Sequence, residues 1–518
     1  MFGVFRSVGY VARLIGIGLI LARHDALFLF EPIGPRSVLR AARMLRRRRR
    51  AQRPGQRLAA AFQAIGPAFI KLGQMLATRA DLLGDQIAAD LAMLQDHLPP
   101  FPASEVHALI ATEFGLPLDA LFSDFDDNPV AAASIAQVHF ATTSEGRRVA
   151  VKVLRPGIAR AFARDLGLLH WLARIVERTR PALRRLKPVE IVRTLENSVE
   201  FEMDLRFEAA AASELAENFA GDTGFHVPKV DWLRTGRSVL TTDRVAGIRV
   251  DDRAALIAAG QDIDALLKRA AEAFFKQVFR DGFFHADLHP GNMFVEADGA
   301  IAVVDFGIMG RLDRATRFFL ADMLVGFLTG DYRRVAEVHF AAGYVPPHRT
   351  VDEFTQAARS IGEPILGKPL AEISIARLLA QLFRVTEQFS METQPQLLLL
   401  QKTMVLVEGV GRRLDPAVNI WALARPLIEQ WMIENRGPEA LLRQRFESLA
   451  ELIDTFPGLL RNIDKLVADW SSEGVVLHAE TLASQAAHRA RHLSWLVVPL
   501  WFAAAALIAI AVALWFGK

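Results

Sequence analysis

No cysteine occurs in the chain. Disulfide staples and thiolate metal sites are therefore excluded, and a reducing compartment is compatible. A charge excess is missing too: 61 Lys and Arg stand against 58 Asp and Glu, a net +3 over 518 residues. Partners recognised by charge must be sought in local clusters. Heptads and internal repeats are absent, so the pattern leaves oligomeric state open. Near the N-terminus, the apolar residues 14–22 between Arg13 and Arg23 are too few to cross a bilayer. No small-residue cleavage site follows them. With Arg6, Arg13 and Arg23 set among apolar residues, this stretch reads equally as an interfacial helix or as a plain packing helix.

What is present is globular in composition, 52% apolar and 23% charged, with a positive mean hydropathy of +0.21 that points to a membrane portion. Two segments carry that reading. Arg46 to Arg50 are consecutive, with Arg40, Arg43 and Arg53 nearby. No aromatic residues are interleaved with them, which makes nucleic acid the weakest partner. Anionic lipid headgroups are favoured, at roughly 1 kcal/mol per basic residue. Trp495 to Phe516 is an uncharged apolar run of 22 residues, about 33 Å as a helix and enough for one bilayer crossing. Trp495, Trp501 and Trp515 suit its interfaces. Arg489 and Arg491 before it assign the long N-terminal part to the cytoplasm, giving a single-pass cytoplasmic-membrane protein.

The stretch 280–310 holds the densest chemistry. Asp287 and Asn292 are five residues apart in HADLHPGN, and Asp305-Phe306-Gly307 follows. Apolar runs 293–295 and 301–304 flank Asp298-Gly299, a strong hairpin signal. That hairpin would bring Asn292 near Asp305, with Asp287 on the preceding loop, a constellation able to hold a divalent metal and a phosphate. Protein kinases build their catalytic end this way.

Upstream, Lys152 sits within Val149-Ala-Val-Lys-Val153, after a polar turn at 142–146. A kinase uses such a lysine on the α/β-phosphates, paired with a helix glutamate. Glu200, Asp204 and Glu208 are spaced i, i+4, which predicts one acidic helix face needing a cation such as Lys152, Lys71 or a metal. Lys71 and Gln74 share a face of an earlier helix. Residues 239–245 predict a strand in the hinge position, and 264–281 a helix leading into the catalytic loop. Beyond Gly310 the pattern is helical to about 480, with no nucleophile-and-base constellation.

The ordered set of motifs resembles the UbiB/ADCK atypical kinase-like family over about residues 60–420. Lys71-Leu72-Gly73-Gln74 is similar to its KxGQ motif, followed by TRADLL at 78–83 and LPPFP at 98–102. Ala131-Ala132-Ala133-Ser134 resembles the alanine-rich loop that replaces the kinase glycine-rich loop. Glu202 and Asp204 match the ExD pair, Glu208 the helix glutamate, and 408–416 (EGVGRRLDP) is family-typical. Departures are Ala136 for a glycine, Leu288 for a proline, and Thr242-Asp243 for Met-Glu in the hinge.

The resemblance implies an α+β, two-lobed, protein-kinase-like fold that binds ATP or ADP with Mg2+. Its expected layout is an interfacial helix and basic segment (1–55), a helical extension (56–118), an N-lobe (119–247), a helical C-lobe (248–480) and a transmembrane helix (495–516). Asp287 and Lys152 would be catalytic, and Asn292 and Asp305 would hold the metal. The alanine loop, Lys152, Glu208 and hinge residues Asp243 and Val245 would bind nucleotide. Lys71 and Gln74 would meet Glu202 and Asp204 where a protein substrate otherwise binds.

The implied activity is ATP turnover for ubiquinone synthesis. Membrane lipids, polyprenyl-phenol precursors and other ubiquinone-biosynthesis enzymes would be its partners. A small-molecule or lipid kinase is the alternative. An iron-dependent hydroxylase built on His285, Asp287 and His289, and a silent scaffold, are the remaining readings.

Overall fold

Alternation decides the first sheet. In the strand Arg148–Leu154 (β4) the side chains of Val149, Val151 and Val153 are fully buried. Each contributes about 1.5–3 kcal/mol by leaving water. Lys152, at the intervening parity, faces the other way. In the computed structural model β4 lies between Ala136–Thr143 (β3) and Val239–Asp243 (β6), antiparallel to both. Phe122–Phe125 (β1) and Ala131–Ala132 (β2) complete a five-stranded sheet. Its outer face packs on helix Ala103–Phe114 through Val106 and Ile110.

The structure describes residues 2–30, 53–77, 84–92, 94, 99–133, 135–179, 187–364, 385, 388–389, 391, 394–418 and 420–436. The basic run 46–50, TRADLL, Ser134 and the apolar run 495–516 lie outside them. Residues Met1–Met432 group as one unit, and Ile433–Arg436 alone are described of the second, Ile433–Lys518.

The helices in chain order are Phe2–Arg23 (α1), Pro54–Ile65 (α2), Pro67–Ala77 (α3), Asp85–Ala92 (α4) and Ala103–Phe114 (α5). Next come Ile158–Thr179 (α6), Pro188–Glu202 (α7) and Leu205–Asn218 (α8). α1 packs through Ile17, Leu21 and Ala22, and its Arg13 bonds both carboxylate oxygens of Asp165 on α6, at 3.0 and 2.8 Å. One face of α1 is thus a packing face. Val11, Ile15 and Leu19, four apart, remain exposed along another. Among the described residues no helix is long and apolar enough to cross a membrane. Gly73 of the KLGQ motif is fixed by close approach: a Cβ there would lie 2.5 Å from Leu94 and 2.7 Å from Phe62.

After Phe225–His226 (β5), β6 and Ile248–Arg249 (β7) come helices Arg253–Ala258 (α9) and Ile263–Phe275 (α10). Strands Phe283–His285 (β8), Met293–Val295 (β9), Ile301–Val303 (β10) and Met309–Arg311 (β11) frame the catalytic segment. The hairpin forms as expected: β9 and β10 are antiparallel, Met293 opposite Val303, with Gly299 turning at φ 80°. The sheet order is β5-β10-β9-β7, and β11 pairs with β8. Helices Arg314–Thr329 (α11), Tyr332–Ala341 (α12), Val351–Gly362 (α13), Pro395–Leu414 (α14) and Ile420–Arg436 (α15) follow. This mixture of antiparallel sheet and helix is a kinase-like α+β fold.

Two expectations are corrected and one holds. The hinge strand ends at Asp243, two residues short of the expected bound, with one further β4–β6 bond from the Arg244 amide to the Arg148 carbonyl. The helix expected at 264–281 does form, as α10 continued without a break by a π-helical turn Lys276–Asp281 that ends on Gly282 in the left-handed region. The continuous acidic face of Glu200, Asp204 and Glu208 does not exist. α7 ends at Glu202, and Asp204 caps α8 by accepting from the Arg206 amide, so the helix breaks between them.

Candidate active site

Lys152 is where the elements converge. β4 presents it, and Glu208 reaches it from the first turn of α8, so one ammonium donates to both Glu208 oxygens at 2.8 and 2.9 Å. It donates as well to Oδ1 of Asp305 at 2.8 Å. Two carboxylates on one ammonium leave the cluster with net negative charge. Burial pushes the Glu208 carboxyl up to about 7, and the Asp305 charge adds to this while Lys152 opposes it. Asp305 is held well below the usual carboxylate range, chiefly by the Lys152 ammonium, with Lys71 also contributing. Lys152 itself is raised because both carboxylates outweigh the burial that would lower it.

Asp305 has φ 67°, the left-handed region that non-glycine residues rarely enter. Such strain is retained where surrounding structure over-determines it, as at functional sites. Here β10 and β11 grip the segment from either side. The Val304 amide donates to the Asn292 carbonyl at 3.0 Å, which sets Asn292 beside Asp305. The Asn292 side-chain amide donates to the Asp287 carbonyl at 3.2 Å, closing the loop between them.

His285, fully buried, is the peg of that loop. Its Nδ1 accepts from the Asp287 amide at 3.1 Å and its Nε2 donates to the Val304 carbonyl at 3.2 Å. Burial lowers its pKa and keeps it neutral. Both ring nitrogens are therefore used in folding, and His289 Nδ1 accepts from the Gly291 amide. That overturns the iron-triad reading, since a ligating histidine needs a free nitrogen.

Asp305 and Asn292 supply hard oxygen donors, one carboxylate and one amide. Mg2+ takes few protein ligands and completes its shell with phosphate oxygens and water, so the set fits Mg2+ bound together with a nucleotide. Among the described residues no group of three His, Cys, Asp or Glu gathers as a metal cage.

The remaining candidates fall around this centre. Ala131 and Ala132 form β2 opposite Val138 and Gln137, and the Ala133 amide donates to the Ala136 carbonyl at 2.7 Å. Asp243 ends β6 with its carboxylate 3.3 Å from Arg147, while Val245 is half-buried just beyond. Lys71 on α3 meets Glu202 at 2.8 Å, each 13% exposed, so the helical extension is pinned to the end of α7. Asp204 is bonded by the Arg206 guanidinium at 2.8 and 2.6 Å, and that bond lowers its carboxyl pKa. Gln74 lies on α3, one turn after Lys71.

Two features escaped the sequence reading. Gln137 holds both the amide and the carbonyl of Phe101 and donates to His139, latching the 99–102 segment onto β3. Lys402 of α14 donates to Asp287 Oδ1 at 2.8 Å. Its sequence signal was only negative: no lysine or arginine lies between Asp287 and Asn292.

Comparison with known proteins fits the geometry. The ABC1 atypical kinase-like domain matches residues 93–339, and the UbiB helical domain matches residues 358–419. A protein of Marinobacter nauticus named probable protein kinase UbiB is 42% identical over 424 residues, 81% of this chain and 78% of its own. One of the same name from Xanthomonas axonopodis pv. citri is 41% identical over 488 residues, 90% of this chain and 86% of its own. The chain belongs to the ABC1/UbiB family of atypical kinases. A solved structure of Rv3197 from Mycobacterium tuberculosis in complex with erythromycin shares the fold at TM-score 0.51 and 27% identity. It covers 69% of this chain and 90% of its own. In UbiB-family terms Lys152, Glu208 and Asp305 belong to the kinase-like domain, and Lys402 to the helical domain.

Proposed function

We propose that this UbiB-family protein binds Mg-ATP in the cleft around Lys152 and turns it over in support of ubiquinone synthesis at a membrane. The observation that carries the reading is the Lys152–Glu208–Asp305 cluster with Asp287 and Asn292 tied beside it. Bound Mg2+ supplies charge neutralisation for the phosphates. Lys152 holds the α/β-phosphates, Glu208 orients Lys152, and Asp287 accepts the proton of the attacking oxygen. Two features favour hydrolysis or a small acceptor over a protein substrate. The Lys71–Glu202 contact pins the extension to α7, and the alanine loop carries methyl groups where glycines would let backbone close on phosphate. The relatives' name supports the ubiquinone role. The apolar run 495–516, the arginine run 46–50 and the exposed stripe on α1 support a membrane location facing the cytoplasm, with polyprenyl-phenol precursors within reach.

Asp305→Asn is expected to abolish Mg-dependent nucleotide binding and ubiquinone production. Normal ubiquinone in cells carrying only that variant would sink the reading. A kinase acting on a small molecule is the second reading, favoured by the small organic molecule in the Rv3197 complex. Incubation of membrane extracts with labelled ATP separates the two: hydrolysis leaves free phosphate alone, a kinase leaves a labelled organic product.

A further inference from the structure

The catalytic loop carries no lysine or arginine of its own. Between Asp287 and Asn292 stand Leu288, His289, Pro290 and Gly291, while Lys152 is committed to Glu208 and Asp305. Transfer of a phosphoryl group develops charge on the acceptor side, beside Asp287, where a preorganised positive group is worth most. Lys402 stands there. Its ammonium donates to Asp287 Oδ1 at 2.8 Å, from a helix 115 residues further along the chain.

The position is built, not incidental. On α14 the neighbouring Leu400 and Thr403 are buried, and Thr403 Oγ1 donates to the Leu399 carbonyl at 2.8 Å. The end of the helix is held by Arg253, whose Nε donates to the Leu414 carbonyl at 2.7 Å. The Lys402 side chain is 43% exposed and that of Asp287 26%. A pair so open to water adds little to stability, so its value lies in what it does to the carboxylate.

We propose that Lys402, supplied by the helical domain, is a catalytic residue of ATP turnover, providing the permanent positive charge that no lysine or arginine of the catalytic loop supplies. The proposal rests on the function proposed above. In the step itself, an acceptor oxygen (water or a hydroxyl) bonds to the γ-phosphorus and passes its proton to Asp287. The bond from that phosphorus to the β–γ bridging oxygen breaks, and its electron pair leaves with ADP. As Asp287 takes the proton it loses its charge, and the ammonium beside it is released to the phosphoryl oxygens. The cation thus stabilises the transition state more than the ground state, which is the condition for raising kcat.

The test uses the full chain in detergent or lipid, with Mg-ATP turnover and nucleotide binding measured separately. Lys402→Ala is expected to lower kcat about 100-fold, the usual loss for one preorganised donor, with nucleotide affinity unchanged. Lys402→Arg is expected to restore part of kcat, since charge rather than shape is required. Turnover at or above the wild-type rate in Lys402→Ala overturns the proposal; a faster enzyme would mark the lysine as a plug on Asp287. An equal loss in Lys402→Arg also overturns it. Asp305→Asn separates the two levels. If it abolishes Mg-nucleotide binding while Lys402→Ala turns over normally, this proposal alone fails. If Asp305→Asn binds as wild type, or the wild-type chain shows no turnover, the underlying reading fails with it.

Discussion

Glu208 is the residue whose ionisation the site depends on. Its carboxyl ordinarily titrates near 4.5 and is pushed up to about 7 by burial, with the Asp305 charge adding to that. The folded chain therefore holds a proton there that the unfolded chain has lost, and this group's contribution to stability falls as pH rises from about 4.5 to about 7. Nucleotide binding runs the other way. Positive charge arriving at Asp305 favours ionised Glu208, so binding releases the proton. Affinity is expected to rise with pH by up to about tenfold per unit below 7 and then level off. Glu208→Gln should remove that part of the slope; the nucleotide's own titration is common to both proteins. Titrating a fluorescent ATP analogue from pH 5.5 to 8 checks this, and an unchanged slope in Glu208→Gln would refute it.

Between residues and domain stand the breaks and turns that aim these groups. Asp204 caps the start of α8, two residues after α7 ends at Glu202, and Glu208 lies in the first turn of α8. Asp204→Ala is expected to cost about 1 kcal/mol through loss of the cap and to weaken nucleotide binding through a frayed Glu208. Asp204→Asn, which still accepts from the Arg206 amide, should lose far less. Thermal unfolding of the two variants measures the difference, and equal losses would show that the Arg206 pair rather than the cap matters. The β9–β10 hairpin was legible in sequence because Asp298-Gly299 carries its own turn chemistry. The break at Met203 was not, because helical spacing runs unbroken from Glu200 to Glu208 and only the cap role of Asp204 interrupts it. The buried face of β4 was equally legible, since three valines at alternate positions allow one orientation of Lys152.

At the scale of the molecule, local pattern does not show contact between distant segments; the family resemblance alone implied that Lys71 meets Glu202, and nothing implied that Lys402 meets Asp287. Lys402 meets Asp287 across the junction of the two family domains, and Lys71 meets Glu202 from the N-terminal extension. Neither follows from local pattern, because charge pairs separated by more than a hundred residues leave no periodic trace. Both segments flank one cleft, so a nucleotide that binds there should stabilise the unit as a whole. At a nucleotide concentration 100 times the dissociation constant, linkage contributes about 2.7 kcal/mol. For a unit of this size that is a rise in Tm of about 3 °C. Asp305→Asn should show none of it. Lys402→Ala should show all of it, because its role is confined to turnover. Thermal unfolding with and without Mg-ADP reads this directly. A full shift in Lys402→Ala beside a large loss of kcat places the lysine in the chemistry, whereas loss of the shift would assign it to nucleotide binding.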